Sequence, residues 1–436
     1  MFGRRSVTGM LAAGGKQFQD WSWAYRIFQK NRFNKEMFFE PVIRTVTECL
    51  DKESPLYAVL DDTTIRKRGR KIAGTAWKRD PLGPAFHTNF IWGQRYLQMS
   101  VMLPDKKEEG RARAIPVDFI HAPSAKKPRK NAKQEEWDAY KATQKPCKVT
   151  VIGSKRINEL RNQVKERKLI CAVDGAFTNQ EVFRKIPENT AIIGRIRKDA
   201  RLFTCPELQE GTRRGRKKFY GAPLPTPEQM RQDDAIPWQK ISAYASGKMH
   251  EFDVKVINPV RWKGSGERDV LVVIVRPLAY RPRKGTKLLY RNPAYLICTD
   301  TSLPLEQLLQ GYIWRWEIEV NFRDEKTIMG VGQSGVRTED AVKNLPAFQV
   351  ATYSYMLLAA ELAEVSALSL PSPKWQQKNH NQRCSTQKIQ SIFRTEFWLP
   401  YFTENTNGFV QNSSSARTHF YSLHSPNFAI SSALNG

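Results

Sequence analysis

Tyr312, Arg315, Glu319 and Lys326 stand in the series Y-x2-R-x3-E-x6-K, which sets one carboxylate among two cations and a phenol. On a helix turning about 100° per residue these positions fall within roughly 60° of one another, so a single helix would present all four on one face. An acid flanked by fixed cations suits work on a phosphodiester. The carboxylate holds a metal ion, the guanidinium forks onto phosphate oxygens and the ammonium acts as a point charge. Pairing of Arg315 with Glu319, four residues apart, is the plainer reading and is compatible with that role.

Two further acids follow apolar runs. LYAVLDD (Leu56 to Asp62) reads as a buried strand delivering Asp61 or Asp62 at its end, and LICAVDG delivers Asp174 in the same way. Three carboxylates brought together would offer the hard oxygen donors that Mg²⁺ or Mn²⁺ prefers. Two such ions about 3.5 to 4 Å apart clamp a scissile phosphate. Taken singly, each acid has a simpler explanation: Asp61 or Asp62 begins a turn, Asp174 turns with Gly175, and Glu319 is a surface acid. Cations follow the first acid at once, with Lys67, Arg68, Arg70 and Lys71 in TTIRKRGRK, and Arg195, Arg197 and Lys198 follow a later strand. Basic loops are usually just solvated; here the neighbouring acid favours a phosphate-holding role.

The elements that must position these residues can be read from periodicity. Residues 1–52 are expected to be helical, with aromatic and aliphatic positions from Phe18 to Ile43. Strands are expected at Leu56 to Asp62, around Phe90 to Tyr96, at Leu97 to Leu103, at Ile115 to Ile120, before Asp174 and at Thr190 to Ile196. A Lys/Pro/Ala-biased connector precedes a helix over Ser154 to Arg167, and Asn179 or Thr178 can cap the helix expected to start at FTNQEVFRKI. A long helix is expected from about Leu303 to Gly330 and an apolar one from about Glu339 to Leu362. The expected division is a helical region over 1–52, a first core part over 53–196, a β-rich insertion over 197–292, the rest of the core over 293–366 and a polar, partly disordered region over 367–436. Strand with acid, strand–helix–strand with acid, then helix with acid is the order of an α/β, RNase H-like mixed-sheet core with an insertion before its last helix.

Bulk composition agrees with a polyanionic partner. The 70 Lys and Arg against 43 Asp and Glu leave a net charge of +27, spread through several segments rather than held in a tail. With 40% apolar residues and eleven tryptophans, wholesale disorder is excluded. The six cysteines show neither paired zinc spacing nor a disulfide framework, and the histidines share no spacing, so no chemistry is assigned to them. No apolar run is long enough to span a bilayer, and the start is too short and broken to be a signal peptide, so a cytoplasmic protein is expected.

With DDTT (Asp61 to Thr64), VDGAFTN (Val173 to Asn179) and YIWRWEIEVNFRDEK (Tyr312 to Lys326) in this order, the chain resembles the insertion-sequence transposases with a DDE triad and the YREK signature. These are the insertion-sequence-four group and its relatives, and the resemblance covers roughly residues 56–365. It implies cut-and-paste DNA transposition, with nicking, hairpin formation and joining of 3′-hydroxyls to target DNA. The family pattern favours the acid directly before Thr-Thr, so the implied triad is Asp62, Asp174 and Glu319, with Asp61 as a supporting group. Implied with it are two Mg²⁺ (or Mn²⁺) ions, double-stranded DNA as terminal inverted repeats and target, a homodimer that synapses two ends, and a bacterial, nucleoid-associated location. Tyr312, Arg315 and Lys326, with Lys67 and Arg68, would grip DNA. Relatives stack a flipped base on an aromatic side chain from the β-rich insertion, just before the strand that leads into the catalytic helix; Tyr295 corresponds by position, with packing in the sheet as its other reading. An inactive DNA-binding relative and a structure-selective nuclease that does not join DNA are the alternatives. The N-terminal region looks short for that family's DNA-binding part and carries no strong helix-turn-helix signal.

Overall fold

The run Leu56, Ala58, Val59 and Leu60 is fully buried, which commits the segment before the first acids to the middle of a sheet covered on both faces. The computed structural model describes residues 5–405 apart from 14–15, 17, 31, 33, 81–82, 85, 88, 207–217, 284 and 364–382. Helices α1 (Val7–Ala13), α2 (Ser22–Gln29) and α3 (Glu40–Glu48) precede strands β1 (Leu56–Arg66), β2 (Ala76–Arg79), β3 (Phe90–Pro104) and β4 (Ala112–His121). Next come α4 (Gln134–Gln144), α5 (Val149–Gln163), β5 (Leu169–Val173), α6 (Gln180–Phe183) and β6 (Thr190–Arg195). The following stretch holds β7 (Leu202–Phe203), α7 (Pro227–Gln232), β8 (Gln239–Ala245), β9 (Lys248–Trp262), β10 (Asp269–Val275), β11 (Ala279–Tyr280) and β12 (Leu289–Tyr290). Strand β13 (Ala294–Cys298) then leads to α8 (Leu305–Trp314), α9 (Glu317–Asp324), a π-helical turn (Glu325–Met329), α10 (Glu339–Leu362) and α11 (Thr386–Asn405).

The chain divides into two compact units, and each is best understood separately. The larger takes residues 43–70 and 74–321, the smaller the described parts of 1–42, 71–73 and 322–436. In the larger unit the strands run in the order β4-β3-β1-β5-β6, with β3 antiparallel to both β4 and β1, and β1, β5 and β6 mutually parallel. Three antiparallel strands followed by two parallel ones, with helices alongside, make this a mixed α/β fold with an RNase H-like core. The segment between β6 and β13 adds β10, β9 and β7 to the same sheet through β13, which pairs antiparallel with β6.

The smaller unit is helical. Val7 of α1, Ala24 and Phe28 of α2, and Ala341, Val342 and Leu345 of α10 bury one another in a single apolar cluster. Thr338 caps α10 by accepting a hydrogen bond from Ala341 N–H, as its place before a helical apolar run requires.

Four expectations differ from what is observed. Strand β1 does not stop at the acids but runs on to Arg66, because β3 pairs with it residue by residue as far as Gly93. The two strands expected over 90–103 are one, β3. A helix, α11, occupies part of the region expected to be polar and poorly patterned, and the rest of the region from 364 lies outside the described residues except for 383–385. The single helix over about 303–330 is three pieces. Between Tyr312 and Glu319 successive bonds close three-residue turns (Arg315 N to Tyr312 O, 3.1 Å; Trp316 N to Ile313 O, 3.2 Å; Glu319 N to Trp316 O, 3.0 Å), and Glu325–Met329 then widens into the π turn. Each change alters the angular step per residue, so the four signature residues do not stand on one regular helix as expected, although Arg315 still meets both Tyr312 and Glu319.

Candidate active site

Parallel pairing of β1 with β5 ends at Leu60 opposite Val173, so the next residue on each strand is an acid: Asp61 and Asp174 leave neighbouring strands at one level. Asp174 is held by the turn it starts, its Oδ1 accepting from Ala176 N–H (2.9 Å) and Phe177 N–H (3.2 Å). Asn179 caps the short helix that follows by accepting from Glu181 N–H at 2.9 Å. These backbone donors fix one carboxylate oxygen and leave the other for chemistry.

Side-chain alternation along β1 sends Asp61 and Asp62 to opposite faces. Helix α8 lies on the Asp61 face: Gly311 comes so close to Tyr57 that a Cβ there would sit 2.8 Å from the ring, and only glycine fits. Trp314 of the same helix packs edge-on against Tyr57 at 5.0 Å and donates its indole N–H to Gly110 O at 2.8 Å. The tight turn after Trp314 swings Arg315 inward, with Nη1 3.6 Å from Asp61 Oδ2 and Nη2 donating to Glu319 Oε1 at 3.1 Å. One guanidinium therefore joins an acid of the sheet to the acid of α9. Its Nε is buried with no hydrogen-bond partner among the described residues. The Arg315 guanidinium also lies over the Tyr312 ring at 5.8 Å. Burial raises the Tyr312 phenol, and Arg315 and Arg195 act against that rise.

Burial, and next the negative charge of Asp174, push the Asp61 carboxyl up to about 7; the hydrogen bond from Asp62 N–H and the Arg315 charge only partly offset them. Asp62 is raised too, chiefly by burial, with Arg95 acting against the rise, the negative charge of Asp174 adding to it and Lys78 opposing it; both acids thus feel Asp174, but the countercharge of Asp61 is Arg315 and that of Asp62 is Arg95 on the other face. The structure thus brings Asp61, Asp174, Tyr312, Arg315 and Glu319 to one side and turns Asp62 away from Arg315. Lys67 stands one residue beyond β1, its N–H donating to Trp92 O at 2.9 Å, and Arg68 is exposed after it. Lys326 belongs to the smaller unit, in the π turn, where its ammonium lies 5.9 Å from the Phe322 ring and burial lowers its pKa.

Tyr295 does not fit the role of a base-stacking platform. It sits in β13 between Ile274 and the end of β6, is 4% exposed, and its hydroxyl donates to Glu228 at the start of α7. Its β13 neighbours carry it into the sheet interior, and the phenol finds a partner as a buried hydroxyl must. Hydrogen bonds from Arg231 and then Tyr295 hold Glu228 down at about 2. A carboxylate depressed in the folded state contributes stability above its ordinary pKa and loses it as pH falls toward the depressed value. The melting-temperature advantage of the wild type over Tyr295→Phe is therefore expected to narrow as pH drops from about 4.5 toward about 2; a constant gap in a pH series of thermal melts would contradict this linkage.

Sequence reasoning passed over a buried polar ladder on the Asp61 face. Gln98, directly opposite Asp61, donates to Ser100 Oγ (3.2 Å), Ser100 donates to Asn321 Oδ1 (3.0 Å), and Asn321 Nδ2 donates to Ala114 O (3.1 Å). Asn321 is two residues beyond Glu319, so the ladder pins the Glu319 helix to the strand beside Asp61. The available signal was Gln98 and Ser100, two polar side chains at period two inside the apolar run LQMSVML.

The carboxylates are oxygen donors of the kind divalent cations take, and a cation between Asp61 and Asp174 would relieve the mutual repulsion that helps keep Asp61 high. Among the described residues no group of three or more His, Cys, Asp or Glu is close enough to form a ready-made metal cage, since Arg315 stands between Asp61 and Glu319. No described helix is long and apolar enough to cross a membrane. No curated protein matches the chain. A family model described as DDE superfamily endonuclease matches residues 1–268, a segment that includes Asp61 and Asp174 and ends before Glu319. Such a family acts on DNA, generally with divalent metal ions. With more than half of its length matched, and two acids emerging side by side from the parallel strands of an RNase H-like sheet, the chain belongs to the DDE superfamily endonucleases.

Proposed function

We propose that this chain is a cut-and-paste transposase of the insertion-sequence-four-like group, with Asp61, Asp174 and Glu319 as its acids. The observation that carries the reading is Arg315, poised between Asp61 and Glu319 on the face where Asp174 emerges. Asp61, Asp174 and Glu319 would hold Mg²⁺ or Mn²⁺, which supplies Lewis-acid activation of the attacking oxygen and stabilisation of the leaving one when bound. The protein's own part is positioning. Arg315, whose guanidinium lies over the Tyr312 ring, would offer a phosphate oxygen a charge-assisted bond. Burial of Asp61 and the ladder from Gln98 to Asn321 hold the acids against reorganisation when the scissile phosphate arrives. Lys67, Arg68 and Lys326 add phosphate contacts, and a homodimer would bring two ends together.

Incubating the purified chain with Mg²⁺ and DNA bearing the inverted repeats that flank its coding region is expected to yield hairpinned ends and joints to target DNA. Gel analysis showing cleavage without joints would identify a nuclease instead. Binding with neither product would identify an inactive DNA-binding relative.

A further inference from the structure

Two tryptophans face each other across the outermost ladder on the β2 side of the sheet. Trp77 of β2 is paired with Trp92 of β3, the rings meeting edge-on at 5.5 Å, and Trp77 remains 65% exposed. Phe90, two residues back on β3 and so on the same face, is exposed as well, and Arg79 lies opposite it. A large exposed aromatic at a sheet edge is costly unless it meets something, because such an edge also invites aggregation. The Trp92 indole is held from behind by donation to Gly69 O at 3.1 Å, which stiffens the pair without covering Trp77.

Register places this pair on the side of the sheet that carries the chemistry. Asp61 is opposite Gln98, and stepping by twos along β3 from Gln98 leads through Tyr96 and Gln94 to Trp92, beside Lys67. The separation is six residues of extended chain, about 20 Å, and the positions between, Tyr96 and Gln94, are buried. The surroundings are cationic: from Arg66 to Asp80 the only acid is Asp80 itself, and that is ion-paired with Arg66 at 2.6 Å. Aromatic faces beside cations match unpaired nucleic acid, whose bases stack on the rings while its phosphates meet the charges.

We propose that the Trp77–Trp92 ribbon, with Phe90, Arg79, Lys67 and Arg68, is a binding patch for an unpaired DNA strand. This rests on the DNA-processing reading above and adds to it a substrate form, single-stranded DNA, and a place for it. Full-length protein is titrated, with chelator present, into a fluorescein-labelled oligothymidylate of about 20 nucleotides and into a duplex of the same length, with anisotropy as the readout. Trp77→Ala is expected to weaken single-strand binding about tenfold and duplex binding less than twofold, and Trp77→Phe to recover most of the loss. Arg79→Ala is expected to reduce the salt slope of single-strand binding by about one. An unchanged single-strand affinity in Trp77→Ala, or an equal loss on both probes, overturns the assignment. Exposure of Trp77 makes misfolding easy to exclude by an unchanged melting temperature. The two readings fail separately: these titrations need no metal, whereas the acids are tested by metal-dependent cleavage.

Discussion

Asp61→Asn and Asp174→Asn are each expected to lower metal-dependent DNA cleavage at least about 10³-fold while leaving DNA affinity within about threefold. The amide keeps the shape of the carboxylate but removes the charge that a divalent ion requires. Glu319→Gln should behave in the same way, with one added effect: Arg315 loses the acid of α9 as its partner and keeps Asp61. Asp62→Asn is the discriminating control. Because Asp62 is turned toward Arg95 and Lys78, its replacement is expected to cost less than about tenfold. Steady-state cleavage of an end-bearing duplex, alongside electrophoretic binding, measures all four. Should Asp62→Asn be inactive and Asp61→Asn active, the assignment of the first acid would be reversed, and wild-type rates in Asp174→Asn would remove the site altogether.

The largest expected effect on stability lies behind the site, at Arg167→Ala. Arg167 stands just before β5, and its guanidinium donates to Thr47 O (3.1 Å), Leu50 O (3.0 Å), Ser54 O (2.8 Å) and Asp51 O. These carbonyls belong to the end of α3 and the loop into β1, where the helix leaves acceptors unsatisfied and its dipole favours a cation. Leu56 N–H, at the start of β1, donates to Lys168 O at 2.8 Å, so the same clamp sets where β1 meets β5 and therefore where Asp61 meets Asp174. Removing the fork abandons several charge-assisted bonds at once, which are not additive but together are worth about 3 kcal/mol. Arg167→Lys should recover less than half, since an ammonium cannot reach four acceptors spread around a planar fork. Chemical denaturation gives the test: a midpoint for Arg167→Ala within error of the wild type would show that solvent replaces these bonds without penalty.

Much of the core was legible because its strands are short apolar runs between turn signals. LYAVL, LICAV, TAIIG and AYLIC all occupy the sheet, and Asn179 caps the helix it precedes. Alternation along a strand says that Asp61 and Asp62 face opposite ways, but not which side receives a helix; that depends on Gly311 meeting Tyr57 more than two hundred residues away in sequence. Tyr295 failed for a related reason, since its position before the last helix says nothing of Glu228 waiting at its hydroxyl. The single signature helix failed locally. Trp314 reaches Gly110 while the next residue reaches Asp61, a pair of demands met by tightening the turn, and no helical wheel contains that information. Helix α11 lacks a pattern strong enough to stand out from the polar sequence before it.

Strand β1 is unbroken from Asp61 to Arg66, and this gives the chain an arithmetic of parity. Every residue between the acid and the cationic loop is either on the acid's side or behind it, so lengthening the stretch by one would exchange all the sides beyond the change at once. Descendants of this sequence can therefore lengthen or shorten that span only by even steps, unless a bulge absorbs the odd residue.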